Sequence, residues 1–180
     1  MDLTERTLDS RIIYEGHIIT LRLDTARMPD GASAPREVAH HPGGVAILPL
    51  DDDGNVTLVE QFRYPLGRVI TEIPAGKLEP GEDPRKAALR ELEEEVGLIP
   101  DTLTSLGEIW TSPGFCDETI YLYLATGLRP GTVHPDDDEF LRIRTLPLPE
   151  LLRLINDNSL RDGKTVAAAL KTAALLARGE

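Results

Sequence analysis

The chain reads as a protein of the α/β or α+β class, with helices beside a mixed sheet. Short apolar or alternating runs, separated by Gly, Pro, Asn and Asp, recur from Arg11 to Thr145 as strands do. One capped segment of helical period interrupts them over residues 84–96. Two further helical segments, residues 149–156 and 165–177, close the chain.

The first strands are Ile12-Ile13-Tyr14 and Ile18-Ile19-Thr20-Leu21-Arg22-Leu23. Turn residues Glu15-Gly16 and Pro29-Asp30-Gly31 punctuate two or three antiparallel strands up to Val38. A sheet this small cannot bury its own core, so it must pack on its own chain or on a partner subunit. Pro42-Gly43-Gly44 breaks the pattern. The expected division is an N-terminal β subdomain over residues 1–41 and a main domain over residues 42–180. Residues 45–50 and 56–63, joined by a turn at 51–55, read as a hairpin. Residues 69–73 form a strand leading into a glycine-rich loop. Strands follow at 103–110 and 119–125, joined by Thr111-Ser112-Pro113-Gly114-Phe115, and then an acidic loop at 134–138 and a strand at 140–145.

At 180 residues, one compact domain with an appendage is expected. The net charge of −12 argues against non-specific nucleic-acid binding, which needs a basic stripe. Cys116 is the only cysteine, so no intrachain disulfide forms, as suits a reducing cytosol. Met1-Asp2-Leu3-Thr4-Glu5 lacks a basic-then-apolar signal pattern. No apolar stretch approaches the ~20 residues of a spanning helix. The expectation is a cytoplasmic protein with neither membrane nor nucleic-acid partner.

The run from Gly76 to Leu98 is the most informative. Asp83 is a good N-cap, Pro84 suits the first helical position, and Gly97 is a C-terminal stop. At about 100° per residue, Ala88, Leu89, Leu92 and Val96 share one side, expected to face the core. Glu91, Glu94 and Glu95 fall together on the other. Like charges at this spacing repel unless a cation neutralises them. Mg2+ takes oxygen ligands, keeps some waters and is commonly shared with substrate phosphates. A solvated acidic face is the plain alternative, and it is the reading for Glu93. Against it for the other three stands the loop that feeds the helix, with Gly76, Pro80, Gly81 and Glu82.

The spacing is specific. Gly76, five residues, Glu82, seven residues, Arg90-Glu91-Leu92, one residue, Glu94-Glu95, one residue, Gly97-Leu98 resembles the Nudix box at every defined position. The resemblance implies an α/β/α Nudix sandwich with a mixed sheet, preceded by a small antiparallel sheet. It implies metal ligation by Glu91, Glu94, Glu95 and the backbone carbonyl of Ala75, with Glu94 and Glu95 also counted as catalytic. Glu82 and Arg90 would be structural, Arg90 tying the helix to the loop.

Segments outside the box are similar to the ADP-ribose pyrophosphatase family. They are Glu60-Gln61-Phe62-Arg63-Tyr64-Pro65, Glu72-Ile73-Pro74-Ala75-Gly76, and Ser112-Pro113-Gly114-Phe115 with Glu118 after it. This likeness implies Mg2+-dependent hydrolysis of ADP-ribose, with Mn2+ as a possible substitute. Arg63 would bind phosphate or ribose, and Arg36, Pro113, Gly114 and Glu118 would also face substrate. For each a plainer role exists: an ion pair, solvent, a turn or a strand start. Trp110 suits stacking or the core about equally. Glu139 is the best match for the glutamate that activates the attacking water, with Asp137 as a helper and Asp136 and Asp138 solvated. Family members commonly clamp adenine with aromatic residues from N-terminal strands, often of the other subunit. Here the segment Tyr14-Glu15-Gly16-His17-Ile18 has no Phe or Trp after the glycine; Tyr14 or His17 could substitute, or be a buried tyrosine and a surface histidine. His40 and His41, beside the break, read as structural. A homodimer with crossing N-terminal strands is expected. The alternatives are another nucleoside-diphosphate sugar or dinucleotide as substrate, or a non-catalytic ADP-ribose-sensing domain. The intact box and the lack of a basic recognition helix count against sensing.

Overall fold

The computed structural model describes residues 2–134 and 139–179. The chain divides into two compact units, Met1–Gly43 with Trp110–Thr119, and Gly44–Ile109 with Ile120–Glu180. The first unit holds three antiparallel strands, β1 (Arg6–Glu15), β2 (Thr20–Arg27) and β3 (Ser33–His40), in the order β1-β2-β3. Every residue of β1 is exposed, Ile12, Ile13 and Tyr14 included. A buried Tyr14 is therefore overturned. Segment 110–119 joins this sheet through a bridge between Ala39 and Cys116, where the Ala39 N–H donates to the Phe115 carbonyl at 2.7 Å. Trp110 is exposed, which removes its core role.

The second unit is a three-layer sandwich. Its central strand is β4 (Gly44–Pro49), all six residues of which are buried. Beside it run β7 (Ala75–Lys77), antiparallel, and β9 (Thr119–Pro130), parallel. The sheet order is β7-β4-β9-β8, with β8 over Leu98–Trp110. A second sheet, β10-β5-β6, is built from β5 (Asn55–Arg63), β6 (Arg68–Glu72) and β10 (Arg142–Pro147). Successive side chains of a strand point to opposite faces. Accordingly Val45 and Ile47 pack with Ala87, Ala88 and Leu92 of α1 (Pro84–Val96). Ala46 and Leu48 pack with Leu151 of α2 (Leu148–Asn156) and Ala168 of α3 (Gly163–Ala177).

The expected hairpin of residues 45–50 and 56–63 does not form. The two strands belong to different sheets, and only an isolated bridge joins Leu50 to Val56. Both edges of β4 are taken by β7 and β9, so none is left for β5.

Candidate active site

Helix α1 begins and ends as its caps dictate. The Asp83 carboxylate accepts from the N–H groups of Arg85 and Lys86 at 3.1 Å each. Gly97 closes the helix in the left-handed region, φ 63°. Its faces differ from expectation in two respects. Leu89 is exposed and Ala87 takes its place in the core. Two of the acids, Glu91 and Glu95, are buried with the core residues, while Glu94 stays half-buried. The cause is the close approach of β7 to this helix.

Gly76 shows how close. A Cβ there would lie 1.9 Å from the Glu91 carboxyl carbon, so any side chain at this position displaces that carboxylate. One Cβ at Gly44 would in turn meet the Gly76 carbonyl oxygen at 2.8 Å. Two glycines thus let backbone, loop and carboxylate stack without side chains between them. Next to them the Ala75 N–H donates to Glu95 Oε2 at 3.1 Å.

Arg90 organises the other edge. Its Nε and Nη2 donate to the two oxygens of Glu82 at 3.1 and 3.0 Å, the structural tie expected of that pair. Its Nη1 also donates to Glu91 at 2.7 Å and Glu94 at 2.8 Å. Glu95 pairs with no lysine, arginine or histidine among the described residues. Desolvation pushes the Glu91 carboxyl up to about 7, Arg90 opposing it and the charges of Glu94 and Glu139 adding to it. Desolvation pushes Glu95 up to about 8, against the Ala75 N–H and with the charges of Glu139, Glu91 and Glu72. Glu139 therefore acts electrostatically on both acids, and it lines a cavity of about 460 Å³ with Glu95, Phe62 and Phe140. Asp136, Asp137 and Asp138 lie outside the described residues.

Among the described residues, no three His, Cys, Asp or Glu side chains are gathered as a metal cluster. Arg90 draws Glu91 and Glu94 to itself, and Glu95 turns to the backbone. The donor chemistry nevertheless fits a hard divalent cation. Glu91 and Glu95 are oxygen donors, buried at a cost their raised pKa values record, in a cradle that a Cβ at Gly76 would fill.

Arg63 ends β5, its guanidinium half-exposed. Nε and Nη2 donate to the two oxygens of Glu72 at 2.7 and 3.0 Å. Glu72 has no role assigned from sequence, yet it is among the most deeply buried charges in the chain. Lys164 also reaches it, from a point 92 residues away. The polar run Asp162-Gly163-Lys164-Thr165 at a helix start was the only trace of this in the sequence.

The remaining expected substrate residues lie in the first unit. Arg36 donates to Glu5 at 2.7 and 2.9 Å and lines a cavity of about 340 Å³ together with Pro113 and Gly114. Glu118 accepts from the Thr111 hydroxyl at 2.7 Å and lies 3.3 Å from His41 Nδ1. His40 pairs with Asp117 at 2.8 Å. Both histidines hold the 112–118 segment, as a structural reading of them implies.

Comparison with known proteins accords with this architecture. Residues 40–169 match the NUDIX domain, and residues 5–39 match the nucleoside diphosphate sugar hydrolase N-terminal domain. A Bacillus methanolicus protein named methanol dehydrogenase activator is 43% identical over 166 residues, 91% of this chain and 90% of its own. An ADP-ribose pyrophosphatase of Bacillus subtilis (strain 168) is 42% identical over 168 residues, 92% of this chain and 91% of its own. A solved structure described as an ADP compounds hydrolase superposes with a TM-score of 0.87 at 22% identity, covering 99% of this chain and 98% of its own. With the box geometry, the sandwich and these matches in agreement, the chain belongs to the Nudix hydrolase family.

Proposed function

We propose that the protein hydrolyses the diphosphate linkage of ADP-ribose to AMP and ribose 5-phosphate, with Mg2+ as cofactor and Mn2+ as a substitute. The observation that carries this is the pair Glu91 and Glu95, buried against a glycine-lined backbone with their pKa values raised. Such acids are costly unless a cation joins them. Glu91, Glu94, Glu95 and the Ala75 carbonyl would hold the metal. When bound, the cation supplies charge neutralisation for the diphosphate and a lowered pKa for the attacking water.

The side chains do the rest. Glu139 accepts the proton of the attacking water, a role supported by its electrostatic coupling to Glu91 and Glu95. Arg63 offers the part of its guanidinium not engaged by Glu72 to the diphosphate or the terminal ribose. Arg36, Pro113, Gly114 and Glu118 contribute to binding the remainder of the substrate. The names of the Bacillus subtilis and Mycobacterium tuberculosis relatives, both ADP-ribose pyrophosphatases, support ADP-ribose over other nucleoside diphosphate sugars.

The N-terminal β subdomain, residues 1–41, serves dimerisation, its strands crossing onto a partner. The full exposure of β1, with Ile12, Ile13 and Tyr14, supports this. A lone cysteine and a net charge of −12 are consistent with a cytoplasmic enzyme that binds neither nucleic acid nor membrane. No helix is long and apolar enough to cross a membrane among the described residues.

Incubation with ADP-ribose and Mg2+ in 18O-labelled water tests the activity. AMP and ribose 5-phosphate in equal amounts, one of them labelled, is the expected result. Preference for another nucleoside diphosphate sugar in a substrate panel would reassign the substrate. Sedimentation tests the assembly, and a monomer at micromolar concentration would refute it.

A further inference from the structure

A second charged cluster in the main unit shares no hydrogen bond with the acidic face of α1 among the described residues. Its centre is Glu72, the last residue of β6, only 1% exposed. Glu72 Oε1 accepts from Arg63 Nε, and Oε2 accepts from both Arg63 Nη2 and Lys164 Nζ. Lys164 donates again, to Asp162 Oδ1 at 2.9 Å. The other Asp162 oxygen accepts from the Thr165 N–H at 3.0 Å and the Thr165 hydroxyl at 2.6 Å. Thr165 Oγ1 itself accepts from the Ile73 N–H at 2.9 Å. The first turn of α3 therefore grips two consecutive residues, Glu72 by charge and Ile73 by backbone, just ahead of Ala75.

The charges alternate along the chain Arg63–Glu72–Lys164–Asp162 and sum to zero. A carboxylate this buried needs its lone pairs filled. Arg63 alone can fill them only by turning more of its fork inward. Lys164 takes that share. The guanidinium then spends Nε and Nη2 on Glu72, and among the described residues Nη1 makes no hydrogen bond.

We infer that Lys164 is a positioning residue: by holding Glu72 it fixes the plane of the Arg63 guanidinium and leaves its Nη1 edge for the substrate diphosphate. This rests on the proposed role of Arg63 in binding that group.

The test is a double-mutant cycle on the full chain with a ligand-free readout beside it. Lys164→Met lowers kcat/KM for ADP-ribose by about tenfold or more, chiefly through KM, and Lys164→Arg restores most of it. In an Arg63→Ala background the same Lys164→Met change costs less than about twofold. Equal fold-losses in both backgrounds would reduce Lys164 to a structural residue and overturn the inference. The Arg63 Nε–H resonance in 15N-arginine-labelled protein, assigned by its loss in Arg63→Ala, shifts or broadens in Lys164→Met and returns in Lys164→Arg. An unchanged resonance in Lys164→Met would refute the positioning with no substrate present. If wild type does not turn over ADP-ribose while this resonance follows Lys164, the positioning holds and the substrate assignment falls. Should Lys164→Met prove too unstable to purify, Lys164→Ala, which likewise removes the donor, is read in the same way by the Arg63 resonance at low temperature.

Discussion

Two groups of buried acid lie in the main unit, and they are handled in opposite ways. Glu72 is enclosed by the protein's own cations, Arg63 on one side and Lys164 on the other. Glu95 is about as deeply buried but, among the described residues, receives only a backbone N–H, while Glu91 shares one arginine nitrogen with Glu94. The first arrangement balances its charges, and in the second a single arginine serves Glu82, Glu91 and Glu94 while Glu95 meets no cation among the described residues. A buried carboxylate is costly unless paired, so a fold that leaves one unpaired implies that something else completes it. The comparison separates an internal brace from a group whose charge the described residues leave uncompensated.

Glu95→Gln should break the second group most severely. Turnover with Mg2+ falls by about three orders of magnitude while circular dichroism and the elution volume stay those of wild type. Near-normal turnover would show that Glu95 is not part of the metal site. The first group should respond in stability as well as in substrate binding. Glu72→Ala leaves Lys164 and Arg63 without their shared anion and destabilises by about 3 kcal/mol in urea unfolding. An unchanged midpoint would mean that the network is not a brace.

Gly76→Ala sharpens the contrast further. The atoms its methyl meets are the end of a flexible side chain, so the fold tolerates it, but the Glu91 carboxylate must move. Activity drops about a hundredfold with little loss of stability, as a displacement of about 1 Å at a reacting centre can produce. Magnesium titration by calorimetry should show correspondingly weaker binding, and wild-type affinity would contradict the cradle.

A last difference between the groups is in pH. Glu91 and Glu95 ionise at about 7 and about 8 when folded, against 4.5 as ordinary carboxylates. Between these limits the native state binds more protons than the unfolded state. Stability of the metal-free protein therefore falls as pH rises from about 4.5 to about 8 and levels off above that. Saturating Mg2+ removes or reverses the slope, because metal binding displaces those protons. A metal-free protein with stability flat across that window would remove the electrostatic distinction between the two groups.

Local signals were legible and distant ones were not. Helix α1 runs from Pro84 to Val96 as read, because Asp83 and Gly97 act within one turn of the ends they set. Glu82 and Arg90 meet as expected because eight residues of loop and helix bring them together. The hairpin of β4 and β5 failed because an adjacent strand is a partner only when an edge is available, and β7 and β9 had taken both. Glu91 and Glu95 were expected on a face away from the core. Their burial depends on how close β7 lies, which helical periodicity does not encode. Glu72 and Lys164, 92 residues apart, had no pattern to link them.

By itself, the sequence determined the identity and spacing of the carboxylates, the caps of the helix that carries them and the glycines of the loop before it, all features whose physics is local. Only the tertiary structure decided which acids would lose their water and which cations would answer them. That choice is made when β4, β7, α1 and α3 pack: burial sets the cost of a charge, and packing alone sets burial.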